Sequence, residues 1–238
     1  MYGGDGLPRF TPQTDIERAD YFLTQQETFH LQLRSNLVAE ALLRIPAAHG
    51  LPSLEELAAH FARNPLVGDA LALARAFLRW WSGDHEGAAL AAAARTETLA
   101  RELLLAQNYP LYRLQREQKP GQYPGLGYLL STLADEGLLD DSWHRYLRTA
   151  LAGPAGWNLR NELDDGFLDD LGAIPAAVML QCVAHLAVIP LLLNARAEAQ
   201  RSTAAPSDRP GQAGGPSEPS RDCDGPTGPD DADTDPDS

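Results

Sequence analysis

The chain has 238 residues, enough for one sizeable core or for a core with an accessory lobe. Hydrophobic residues make up 44% and are mostly Ala and Leu, with β-branched residues sparse, which points to an all-α fold and away from sheet architectures. A net charge of −14 argues against broad electrostatic binding of nucleic acid; nine acids against three bases in 201–238 account for −6, so the rest still carries −8 and no DNA partner is expected.

In chain order, 1–14 reads as a flexible Gly/Pro-containing arm and 15–63 as a helical extension. The mostly polar "DIERADYFLTQQETFHLQLRSNLVAEALLR" predicts a helix over 15–44, ended by Pro46 and Gly50. Ser53 and Glu56 form a capping box, each side chain accepting from a free backbone N–H, for a helix that stops before Pro65. Longer helices are predicted over 67–81 and 84–107, split at Ser82-Gly83, with Asp84 as N-cap of the second. "KPGQYPGLG" at 119–127 is a loop by its Pro and Gly content. Short helices around 126–136 and 140–151 follow, Gly153-Pro154 breaks the chain, Asn158 opens "NLRNELDDGF", and an apolar helix over 173–199 closes a bundle spanning 64–200. The acidic Pro/Gly-rich tail 201–238 has too little apolar surface to offset its ordering entropy and is expected to be disordered.

"IPAAVMLQCVAHLAVIPLLL" at 174–193 has the length of a membrane span. Gln181, His185, two prolines and the lack of a basic cluster close on one side favour the buried central helix of a bundle, so no membrane is expected as a partner. The two cysteines, Cys182 and Cys223, are too few for a disulfide framework and have no metal spacing. With no basic start followed by an apolar run at the N-terminus, the expected compartment is the cytoplasm. No Gly-rich phosphate loop is present, and no cofactor is expected. The adjacent Asp164 and Asp165 read as a solvated acidic face rather than a metal site.

Residues 64–190 resemble a domain family of bacteria and eukaryotes marked by an Arg-Asn-x-x-x-His-Gly motif. "NPLVGDALALARAFLRWWSGDHEGAALAAAARTETLARELL" is similar to its helix pair, including an Arg-x-Glu-x-x-x-Arg run met here as Arg95, Glu97 and Arg101. "LGYLLSTLADEGLLDDSWHRYLRTALAGPAGWNLRN" is similar to its approach to the motif. Arg160, Asn161 and Gly166 match the motif itself, and Asp165 stands where the family has His. That family looks like a branch of the HEPN superfamily, whose all-helical domains often act as metal-independent ribonucleases. The resemblance implies a HEPN-like bundle, a homodimer to which helix 173–199 could lend part of the interface, and motif positions Arg160, Asn161 and Asp165, supported by Arg95, Glu97, Arg101 and Gly166.

In such a nuclease the Arg would stabilise phosphoryl charge through bidentate bonds, and the His would move protons as a ribose 2′-hydroxyl attacks. Asp165 is a poor substitute, because a carboxyl of ordinary pKa about 3.9 has no proton to give at neutral pH. Asp164, Glu162, Asp169 and Asp170 add further negative charge. The bland alternatives are an ion pair from Arg160 to Glu162, Asp164 or an acid on a neighbouring helix, a satisfied or capping Asn161, and a salt-bridged face for Arg95, Glu97 and Arg101. Of the six histidines only His144, just upstream of the motif, is a conceivable replacement, while His185 reads as a core residue and Trp80-Trp81 as packing. The expected function is a catalytically degenerate HEPN-like module that binds a protein or RNA partner, in a defence or toxin–antitoxin setting by analogy. The alternatives are an active ribonuclease using Arg160 with Asp165, and a purely structural helical protein.

Overall fold

The computed structural model describes residues 11–112, 123–166 and 171–204, with side chains described as far as 191. Among them are eight α-helices, one π-helical turn and no strand, so the chain is all-α, as its composition implies. Residues 1–10 of the expected arm, much of the loop expected at 119–127, and 205–238 of the expected tail, with Cys223, lie outside the described residues.

Helix α1 (Asp15–His49) begins at a Thr14/Glu17 capping box and passes straight through Pro46, where a stop was expected. A proline inside a helix orphans the carbonyl four residues earlier, here that of Leu42. The indole Nε1 of Trp81 donates to that carbonyl at 2.9 Å, so a side chain replaces the missing backbone donor and the helix continues to Gly50. Helix α2 (Leu54–Phe61) carries the Ser53/Glu56 capping box as read from sequence. Helix α3 (Ala70–Trp81) starts three residues later than expected, because Asp69 caps it by accepting from Ala72 N. Helix α4 (His85–Ala106) is capped by Asp84.

Helices α5 (Leu126–Asp135) and α6 (Asp141–Leu147) follow, and α6 runs into the π turn (Arg148–Ala152) instead of continuing as α-helix to 151. Helix α7 (Leu159–Asp164) leads to α8 (Ala173–Ala204), which extends four residues into the segment expected as tail. Pro190 interrupts the hydrogen-bond ladder of α8 at Leu186 O, and one residue further on buried Asn64 donates Nδ2 to Ala187 O at 2.6 Å.

Helix α8 packs along α4 and against α1, and α3 pairs with both α2 and α4. Val178, Met179, Leu180 and Leu186 of α8 are fully buried, together with Leu104 of α4 and Leu129 and Leu130 of α5. The stretch Ala173–Leu191 is long and apolar enough to cross a membrane by length and composition, and 56% of its most apolar window is buried inside the fold. Leu31 and Ala39 of α1 and Phe61 of α2 belong to the same core, so the N-terminal helices pack on the bundle that follows them.

Candidate functional site

The approach to Arg160 is set by Pro154. In the π turn Gly153 N bonds Arg148 O at 2.6 Å, one residue beyond the α-helical partner. The next donor along would be the nitrogen of Pro154, which carries no hydrogen, so Thr149 O is left over. Trp157 N (2.7 Å) and Asn158 N (3.4 Å) fold back and take it. That close return explains Gly156, since a Cβ there would lie 2.3 Å from Thr149 O. Asn158 then sits in the left-handed region at φ 57, a conformation its short polar side chain tolerates, and α7 starts from it.

Arg160 faces α4. Its Nη2 donates to Glu97 Oε2 at 2.9 Å, and its Nη1 reaches Asn161 Oδ1 at 3.0 Å and Asp164 Oδ2 at 3.1 Å. The second oxygen of Glu97 accepts from Arg101 Nη2 at 2.6 Å. The Arg101 guanidinium lies 5.3 Å from the centre of the Tyr123 ring, and its Nε is buried without a partner. Asn161 donates Nδ2 to Asn158 Oδ1 at 2.7 Å, and Asn158 donates to Glu162 Oε1 at 3.4 Å. Two guanidinium groups and two carboxylates thus make a half-buried cluster whose formal charges cancel.

Glu97 and Arg101, four residues apart on one face of α4, both belong to this cluster. Arg95 does not: two residues before Glu97 it lies about 200° round the helix, and it pairs instead with Asp69 at 3.5 Å. The three therefore do not share one face, as their spacing had suggested.

The remaining motif positions have local explanations. Asp165 is exposed, and its side chain has no hydrogen bond or ion pair among the described residues. A residue five positions on is about 140° round a helix, whereas one four positions on is nearly in line. The acid facing Arg160 is therefore Asp164. Gly166, at φ 72, ends α7 in the left-handed conformation that favours glycine, its N–H bonded to Leu163 O at 3.2 Å. Asp169 and Asp170 lie outside the described residues. Among the described residues no group of three His, Cys, Asp or Glu is arranged to hold a metal ion.

The histidines considered as substitutes sit elsewhere. His144 has Arg148, Asp135, Arg145 and Asp141 as its charged neighbours, and burial, assisted by the two arginines, pushes its imidazole below the ordinary range. Its Nε2 is buried without a partner. His185 is stacked on Trp143 with ring centres 3.5 Å apart and planes 12° from parallel, and burial lowers its pKa too. Trp80 packs in the core and donates Nε1 to Ala173 O at 2.8 Å.

A second polar cluster ties α1 to α6 and the π turn. Arg145 forks onto Glu27 at 2.5 and 3.1 Å and reaches Asp20 at 3.1 Å, and Thr149 donates to Glu27 at 3.2 Å. It borders a cavity of about 690 Å³ between α1 and α6, beside which Tyr146 donates its hydroxyl to Gln181 at 2.5 Å. Sequence reading missed this cluster. The only local hint was Asp20 and Glu27, seven residues apart on one face of a helix.

No family model matches the chain, and neither a curated protein nor a solved structure does. The likeness to the Arg-Asn-x-x-x-His-Gly family rests on the residues quoted for it alone.

Proposed function

We propose that this protein is a non-catalytic, HEPN-like helical module that acts by binding a protein partner and does not cleave RNA. The observation that carries the reading is the engagement of Arg160: both terminal nitrogens of its guanidinium are held by carboxylates of its own chain. A phosphate would have to displace Glu97 or Asp164 from a cluster of no net charge, with exposed Asp165 close by. No imidazole of the described residues contacts Arg160, so a group able to take and return a proton near neutral pH is missing beside it.

The same ion pairs favour a purely structural role for the chain as the second reading. Large apolar residues left exposed along α1, Phe22, Phe29 and Leu33 among them, favour binding instead, because soluble proteins rarely expose such stretches without a use for them.

Metal-free incubation with labelled single-stranded RNA tests the proposal on three proteins: natural, Arg160→Ala and Asp165→His. None is expected to cut. Arg160→Ala is expected to lose about 1–2 kcal/mol of stability in denaturant titration, a charged hydrogen-bond network discounted for partial exposure. Cleavage by the natural protein that vanishes in Arg160→Ala overturns the reading. Cleavage by Asp165→His alone marks a decayed nuclease centre and leaves the natural protein non-catalytic.

A further inference from the structure

Helix α1 buries one face, through Thr24, Thr28, Leu31, Ser35 and Ala39. The opposite face carries Phe22 (67% exposed), Phe29 (59%), Leu33 (64%) and Leu37 (68%), and no described segment of the chain covers them. Gln26, Glu40 and Arg44 lie on the same stripe and are exposed. The stripe Phe22, Gln26, Phe29, Leu33, Leu37, Glu40, Arg44 keeps to one side of the helix at the three- and four-residue intervals of any α-helical face, so positions equally far from Leu33 meet when a second copy lies antiparallel across it.

We propose that this face of α1 is the contact between two copies of the chain, packed antiparallel with the twofold axis at Leu33. A twofold contact must be complementary to itself, each position meeting its mirror position. Reversed about Leu33, the stripe sets Leu33 on Leu33 and Phe29 on Leu37. Gln26 meets Glu40, so an amide N–H faces a carboxylate, and Phe22 meets Arg44, so a guanidinium faces an aromatic ring. Leu23 and Leu43, both about half exposed, form one more mirror pair at the margin. The charges select the direction. A parallel pairing in the same register would put Glu40 on Glu40 and Arg44 on Arg44, whereas the antiparallel one separates like charges and keeps the intrachain Arg44–Glu40 pair of 3.1 Å next to Gln26 of the other copy.

The contact runs from Phe22 to Arg44, about 33 Å at 1.5 Å per residue, with Phe29, Leu33 and Leu37 at the centre, Gln26 and Glu40 outside them, and Phe22 and Arg44 at the ends. A dry centre with polar positions outside it is the pattern of a stable interface, for which roughly 800 Å² per partner is usual. It differs from the interface expected at 173–199, whose residues 176–180 are buried within the bundle. The inference rests on the binding role proposed above, whose exposed α1 residues it assigns to a second copy of the chain, and it does not depend on the state of Arg160.

Sedimentation equilibrium on the full chain, with oxidative cross-linking in a Cys223→Ser background, tests it; Cys182 is fully buried and does not interfere. The natural protein is expected to be a dimer. Leu33→Glu opposes two carboxylates on the axis and is expected to weaken the dimer roughly a hundredfold or more, as loss of a central contact does, with unchanged helical circular dichroism because Leu33 is exposed. Leu33→Cys is expected to cross-link to its own copy. Gln26→Cys alone is expected not to, whereas Gln26→Cys combined with Glu40→Cys is. A monomeric natural protein overturns the proposal, and so does a dimer that survives Leu33→Glu. Cross-linking by Gln26→Cys alone, the mark of a parallel contact, also overturns it.

Discussion

Gly156 and Gly166 flank the same short helix for different reasons, and substitution separates them. At Gly156 the obstacle is backbone: a Cβ would fall 2.3 Å from Thr149 O, in a turn pinned by two hydrogen bonds to that same oxygen. Gly156→Ala should therefore cost about 2–3 kcal/mol, the upper range for overpacking a site that cannot relax. At Gly166 there is open space and only the positive φ of 72 to oppose a side chain. Gly166→Ala should cost about 1 kcal/mol. Urea titration of both variants checks the order, and equal losses would mean that the return of 156–158 onto the π turn is looser than these distances imply. The distinction matters for the motif, because Gly166 is accounted for by the end of a helix and needs no chemistry to explain it.

At the scale of elements, the passage of α1 through Pro46 depends on one indole. Trp81→Phe removes the donor to Leu42 O and should cost about 1 kcal/mol through the hydrogen bond, beside any loss of packing. In a Pro46→Ala background the helix supplies its own N–H to Leu42 O, so the hydrogen-bond part of that cost should disappear while the packing part stays. A double-mutant cycle therefore isolates a coupling of about 1 kcal/mol; no coupling would mean that the indole only fills space. This pair also shows what sequence can and cannot reveal. Helix starts were legible because Ser53, Asp84 and their N–H partners lie within one turn of each other. The continuation past Pro46 was not, because its donor lies 39 residues away. The partners of Arg160 divide in the same way: Asp164, one turn along, was foreseen by name, while Glu97 at 63 residues' separation was foreseen only as an acid from a neighbouring helix. The Glu27–Arg145 tie, 118 residues apart, showed in local spacing only as two acids on one helix face, with no sign of the arginine they share.

At the scale of the whole molecule, His144 and His185 make stability depend on pH. Burial is the first cause for both, and it holds each imidazole below its ordinary value of 6.5. The unfolded chain therefore binds these protons more readily than the folded one. The contribution of the two imidazoles to stability is fully present above 6.5 and is lost as pH falls through the depressed folded values, since acid then favours the unfolded state. The melting temperature should accordingly drop on acidification at pH values still above the carboxylate range. Glu56, the carboxylate held low by its capping hydrogen bonds to Ser53, adds its own loss only further down. His185→Gln should flatten the upper part of that profile; an unchanged profile would assign the effect to His144.

The place of α8 in chain order bears on how the protein is made. A ribosome delivers residues in sequence, at about 5–20 per second, so the stretch between Ala106 at the end of α4 and Ala173 at the start of α8 takes roughly three to thirteen seconds to appear. Until then Leu103 and Leu104 of α4 and Leu31 of α1 lack the helix that belongs between α1 and α4. The nascent chain therefore exposes apolar surface of α1 and α4 that only α8 covers in the finished fold. A chaperone that shields apolar helical surface would act during that interval, and a ribosome stalled before residue 173 would release a sticky fragment instead of a smaller folded protein.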